Sequence, residues 1–179
     1  HRSSSSCTKD IVIDEKELLD SFKAYEKKYK DLLGDYIRPD ADLNGLVRTT
    51  INVAQSIKPV SCDKKWEEDE KKKIPLLLAG VFSLFTIVKS GATYNRIEEA
   101  AESSNLGEKL LMKPHAIQVL TLLYMFGCGK GAWSSLDSQL MQIRTGEGKS
   151  MILGAAACAL ALLGFRVRTV CYSEYLSSR

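Results

Sequence analysis

Ile74 to Val88 (IPLLLAGVFSLFTIV) holds no charged residue over 15 positions, and it limits the possible folds more than any other stretch of the chain. A helix that is apolar on nearly every face cannot lie on a wet surface, so other helices or lipid must enclose it. It falls short of the roughly 20 residues that a spanning helix needs, and it therefore reads as a buried core helix. Pro75 suits its first turn, and Gly91 is expected to end it. Amphipathic partners precede it. From Asp14 to about Asp35 the stripe Leu18, Phe22, Tyr25, Tyr29, Leu32 and Tyr36 repeats every three or four residues, which predicts a helix with one apolar face. Pro39, Asp40 and Asp42 mark a break. A second stripe, Leu43, Leu46, Val47, Thr50, Ile51, Ala54 and Ile57, runs on to Pro59. The run KKWEEDEKKK over 64–73 interleaves both signs of charge and reads as a solvated helical turn. Asn95 to Ser103 reads as a short helix.

Composition narrows the class. In 179 residues, 45% are hydrophobic and 26% charged, the mix of a folded chain rather than one disordered throughout. The net charge of +3 is too small to argue for a nucleic acid or an acidic membrane as partner. No signal peptide, transit segment or transmembrane segment is read. Five scattered cysteines without a C-x-x-C pair, and two histidines, give no zinc spacing. A reduced, intracellular setting is expected, its compartment left open. Residues 1–13, the first ten of them polar and Ser-rich, are read as a flexible lead. Residues 14–105 form a helical region without chemistry, since no paired carboxylates fall near a histidine.

From residue 106 onward the pattern changes. Pro114 opens an apolar helix to about Phe126 (PHAIQVLTLLYMF), and a Gly- and Ser-containing loop follows over 127–138. QLMQIR (139–144) reads as a strand, TGEGKS as a tight turn, Ser150 to Leu163 as a helix closed by Gly164, and Phe165 to Tyr172 as an alternating strand. Strand, turn, helix and strand make one βαβ unit and predict a parallel sheet. The turn itself carries the chemistry. Gly146 and Gly148 let the backbone direct successive N–H groups at phosphate oxygens, and the following helix adds the positive end of its dipole. Lys149 offers a charge to the terminal phosphates and Ser150 a hydroxyl to Mg²⁺. Thr145 and Glu147 complete the loop. Ile143 stands where the strict phosphate-loop pattern has glycine.

Arg144 to Ser150 (RTGEGKS) resembles the phosphate loop of the SecA motor ATPases of preprotein translocation, where, as in the related DEAD-box helicases, the first glycine is also replaced. Pro114 to Gln118 (PHAIQ) resembles the glutamine motif of those families. Tyr175, Leu176 and Arg179 (EYLSSR) resemble the segment after the next strand of the motor. The resemblance implies an α/β protein, a helical N-terminal region followed by the first part of a RecA-like P-loop domain with an incomplete parallel sheet over 106–179. It implies ATP and Mg²⁺ as ligands, with Gln118 at the adenine, Thr145, Gly146, Glu147, Gly148 and Lys149 at the phosphates, and Ser150 at the metal. Read alone, Gln118 on an apolar helix is more often a polar residue at the edge of a core than a reader of adenine. Arg144 serves either phosphate or an acidic partner, His115 reads as a helix-start residue rather than a base, and Met112, Met125, Met141 and Met151 read as core fillers.

The same resemblance implies unfolded polypeptide or translocation machinery as partner. No acidic Walker B strand or second motor domain follows the loop, so nucleotide binding without hydrolysis is expected of these residues alone. The rest of a motor domain, or a second chain, is expected to complete the sheet. Two rival readings remain: part of a DEAD-type RNA helicase, and a non-catalytic interaction subunit that keeps a relic phosphate loop.

Overall fold

The computed structural model describes residues 13–37, 41–57, 67–98, 111–130, 136 and 139–170. Among the described residues six helices account for the regular structure: α1 (Glu15–Tyr36), α2 (Leu43–Gln55), α3 (Glu68–Lys71), α4 (Ile74–Glu98), α5 (Ala116–Met125) and α6 (Lys149–Leu162). Helix α4 is the centre. It touches α1, α2, α5 and α6, and α6 in turn packs on α2 and α5. Ile74, Leu77, Leu78, Ala79 and Phe82 of α4 are buried almost completely, among side chains from all four of those helices. Residues 68–90 are long and apolar enough to cross a membrane by length and composition, but 61% of that apolar window is buried inside the protein. Enclosure by helices meets the demand that the sequence made.

The stripes predicted for α1 and α2 supply that enclosure. Tyr25, Tyr29 and Leu32 bury the inner face of α1, and Leu46, Thr50 and Ala54 that of α2. Asp14 and Asp42 each cap their helix by accepting a backbone N–H in its first turn, which satisfies a donor that has no intrahelical partner. Tyr25 stacks on Tyr29, centroids 5.5 Å apart, and meets the edge of Phe82 at 6.1 Å. A buried polar chain fixes the register of three segments. The Tyr29 hydroxyl lies 2.8 Å from Thr86 Oγ1, which itself donates to the Met112 carbonyl at 3.1 Å. Thr86 has one proton and gives it to Met112, so Tyr29 is the donor to Thr86. The residues leading into α5 are thereby tied to the centre of α4. Gly80 brings α2 against α4, because a Cβ there would fall 2.5 Å from Thr50 Oγ1.

Four expectations are corrected. First, α4 continues through Gly91 to Glu98; a glycine stops a helix when the chain turns left-handed beyond it, and here the chain stays helical. The part of the expected helix Asn95–Ser103 beyond Glu98 lies outside the described residues. Second, the charged run over 64–73 is not wholly solvated. Glu70 and Lys71 are 4% and 5% exposed, and Lys71 pairs with Glu17 of α1. Third, Met112, expected as core filler, is 53% exposed.

Fourth, the α/β class with an incomplete parallel sheet does not hold: among the described residues there is no β-strand. Residues 139–144 and 165–170 are non-helical, yet neither finds a ladder partner among the described residues, and Leu140 and Val170 are 101% and 91% exposed. A strand is defined by the neighbour that accepts its N–H groups, so alternation without a neighbour leaves open chain. Residues 1–12, Pro59, residues 171–172 of the second expected strand, and the motif residues Tyr175, Leu176 and Arg179 lie outside the described residues, as does most of 131–138.

The ion pair of α3 with α1 yields a stability prediction. Lys71→Ala is expected to cost about 2–3 kcal/mol, because it leaves the Glu17 carboxylate without its buried partner. Lys72→Ala, whose partner Asp69 is at the surface, should cost less than about 0.5 kcal/mol. Urea unfolding followed by circular dichroism measures both, and equal losses would contradict the assignment.

Candidate functional site

The turn before α6 has the local geometry that its glycines suggest. Gly146 and Gly148 have φ of +92° and +73°, the left-handed region that side chains with a Cβ rarely adopt. Gly148 is the N-cap of α6 and no side chain caps that helix, so among the described residues no side chain takes the first N–H groups of Lys149 and Ser150. The loop is closed on itself at Arg144. Its carbonyl accepts from Glu147 N at 3.4 Å and from Lys149 Nζ at 3.0 Å. Ile143, the departure from the strict pattern, packs partly buried against the core and anchors the entry of the loop where glycine has nothing to bury.

The sequence-predicted residues fall into two groups. Gln118, Glu147 and Gly148 meet directly. Gln118 lies on the first turn of α5, is 3% exposed, and donates from Nε2 to the Glu147 carbonyl at 2.9 Å. Its Oε1 accepts from His115 N at 3.0 Å, while the Gln118 backbone N–H donates to the His115 carbonyl at 2.9 Å. The two bonds close the start of α5 as a capping box does. Lys149 pairs instead with Arg144, and Thr145, Gly146, Lys149 and Ser150 are exposed. Arg144 enters through its carbonyl, a part that sequence reasoning did not weigh. His115 was expected to start the helix and does so as N-cap. What escaped notice is that it holds Gln118; the signal was a glutamine three residues after a helix start.

An apolar groove of about 520 Å³ runs between α2, α4 and α6, with Ser150 and Met151 beside Val47, Phe85 and Cys158 along it. Its lining does not suit a triphosphate. The loop does: uncapped backbone donors, a helix start and an adjacent ammonium converge there, which is what an anion needs. A charge-assisted bond from Lys149 to an anion would outweigh its present bond to the neutral Arg144 carbonyl.

Gly148→Ala is expected to cost about 3 kcal/mol, combining a strained φ with a Cβ that would sit 2.4 Å from Gln118 Nε2. Adding Gln118→Ala should return part of that loss, leaving the backbone strain. Thermal unfolding of the single and double variants checks it, and strictly additive losses would refute the contact.

Among comparisons with known proteins, a family model described as the SecA DEAD-like domain matches residues 47–179. No significant match came from curated proteins or from solved structures.

Proposed function

This chain belongs to the SecA DEAD-like domain family, and from that premise we propose that it contributes the ATP-binding part of a motor ATPase that moves polypeptide. One observation carries the reading: two left-handed glycines deliver the chain into an uncapped helix start at Lys149, within the matched residues. The phosphates of ATP lie along Thr145 to Lys149. Lys149 would exchange the Arg144 carbonyl for a phosphate oxygen, and the Ser150 hydroxyl would hold Mg²⁺. Bound Mg²⁺ supplies charge neutralisation at the phosphates. Residues 106–179 act as the nucleotide-binding part and 14–105 as a helical support, joined by the common core around α4. Polypeptide in transit and translocation machinery are the partners that this family suggests. The match supports a SecA-type motor over an RNA helicase.

A second reading has its own observation. Lys149 already satisfies a loop carbonyl, as it would in an interaction module whose phosphate loop no longer takes nucleotide. Calorimetric titration of Mg-ATP and Mg-ADP into the wild-type chain and Lys149→Ala separates the two. The motor reading expects a loss of about 30-fold for ATP and a smaller one for ADP, since the ammonium faces the terminal phosphates. Equal losses would contradict that role of the lysine. An absence of binding to the wild-type chain, or binding indifferent to the substitution, would favour the second reading.

A further inference from the structure

We propose that Gln118 is a positioning residue for the phosphate loop, aiming the Gly148 N–H at the bound anion, rather than serving solely as a reader of the base. The inference rests on the nucleotide-binding reading above for its ligand, and on the geometry of α5 for its mechanism.

The argument starts from the peptide that joins Glu147 to Gly148. A trans peptide holds its C=O and N–H on opposite sides of one plane. The Glu147 carbonyl points to α5, where it accepts from Gln118 Nε2 at 2.9 Å. The Gly148 N–H on the same plane therefore points away from α5, and no described group accepts from it. Whatever fixes the carbonyl fixes that donor. Gln118 is well suited to fix it, because its own freedom is removed at both ends of the amide. Oε1 is held by His115 N at 3.0 Å, Nε2 by the Glu147 carbonyl at 2.9 Å, and the whole residue is 3% exposed.

The contact is also close. A Cβ on residue 148 would come within 2.4 Å of Nε2, so Gly148 is needed both for its left-handed φ and for the approach of the amide. The amide retains a second hydrogen and a second lone pair. A base reader would use those, but they belong to a side chain already buried and engaged on both polar atoms.

Strut and base reader differ in what they do to a ligand without a base. Inorganic tripolyphosphate and ATP, each with Mg²⁺, are titrated calorimetrically into the wild-type chain, Gln118→Ala and Gln118→Glu. Gln118→Glu keeps the acceptor for His115 N and replaces only the donor to Glu147 with a repelling oxygen. Both variants are expected to lose about tenfold in affinity for both ligands, by the same factor, from one buried bond that orients the donor. A loss confined to ATP would show a base reader and overturn the proposal, as would affinities that do not change.

Hydrogen exchange over 144–150 supplies a readout independent of ligand. Faster exchange there in the variants, with α4 as protected as in the wild-type chain, is the expected result and separates a loosened loop from general unfolding. An unchanged loop would overturn the strut. Should the wild-type chain bind neither ligand, the nucleotide reading fails on its own, and the exchange measurement still decides whether Gln118 holds the loop.

Discussion

Enclosing α4 is the condition on which the remainder of the structure depends. Its residues Ile74, Leu77, Leu78 and Phe82 have at most 1% of their surface in contact with water, and each such side chain contributes on the order of 1.5–3 kcal/mol by leaving it. No surface position offers that, so α1, α2, α5 and α6 are arranged around one helix. Polar groups follow this arrangement. The chain from Tyr29 through Thr86 to the Met112 carbonyl exists because Thr86 is buried on α4 and its hydroxyl must be satisfied there.

The same enclosure positions the glycine turn before α6. Helix α5 starts just after the Met112 segment that Thr86 and Ser90 hold, and its first turn presents Gln118. Helix α6 is set by its packing on α2, α4 and α5, with Ile152, Ala155 and Ala159 in the core. Glu147 and Gly148 lie between those two helix starts. The loop is therefore held from both sides by elements whose places the central core decides. Gln118 is the point at which support passes from α5 to the loop backbone. The apolar groove between α2, α4 and α6 leaves part of α6 uncovered, with Cys158 exposed along it, so the loop is better supported on the α5 side.

Helical periodicity was readable because a helix makes its backbone bonds within itself. Spacing of Leu18, Tyr25 and Tyr29, or of Leu46, Thr50 and Ala54, was enough to give both the element and its buried face. The turn at Gly146 and Gly148 was readable for a similar reason, since left-handed backbone is a local preference of glycine. The strands read over 139–144 and 165–170 carried no such guarantee. A strand needs a second strand, and the pattern of one segment does not contain its partner. The charged run over 64–73 misled in another way: interleaved signs describe the average of a stretch, whereas the burial of Lys71 depends on Glu17, more than fifty residues earlier.

What the chain determined by itself was the set of helices, the need to bury α4, and a glycine turn ending in Lys149 at the start of a helix, because each follows from local conformational preference and the pattern of apolar side chains. Tertiary structure alone decided which polar groups meet: Lys71 with Glu17, Thr86 with Met112, and Gln118 with the Glu147 carbonyl. Those pairings depend on the distance between helices once they have packed. A hydrogen bond is made or lost within a few tenths of an ångström, and no residue pattern along a single segment sets a separation between two.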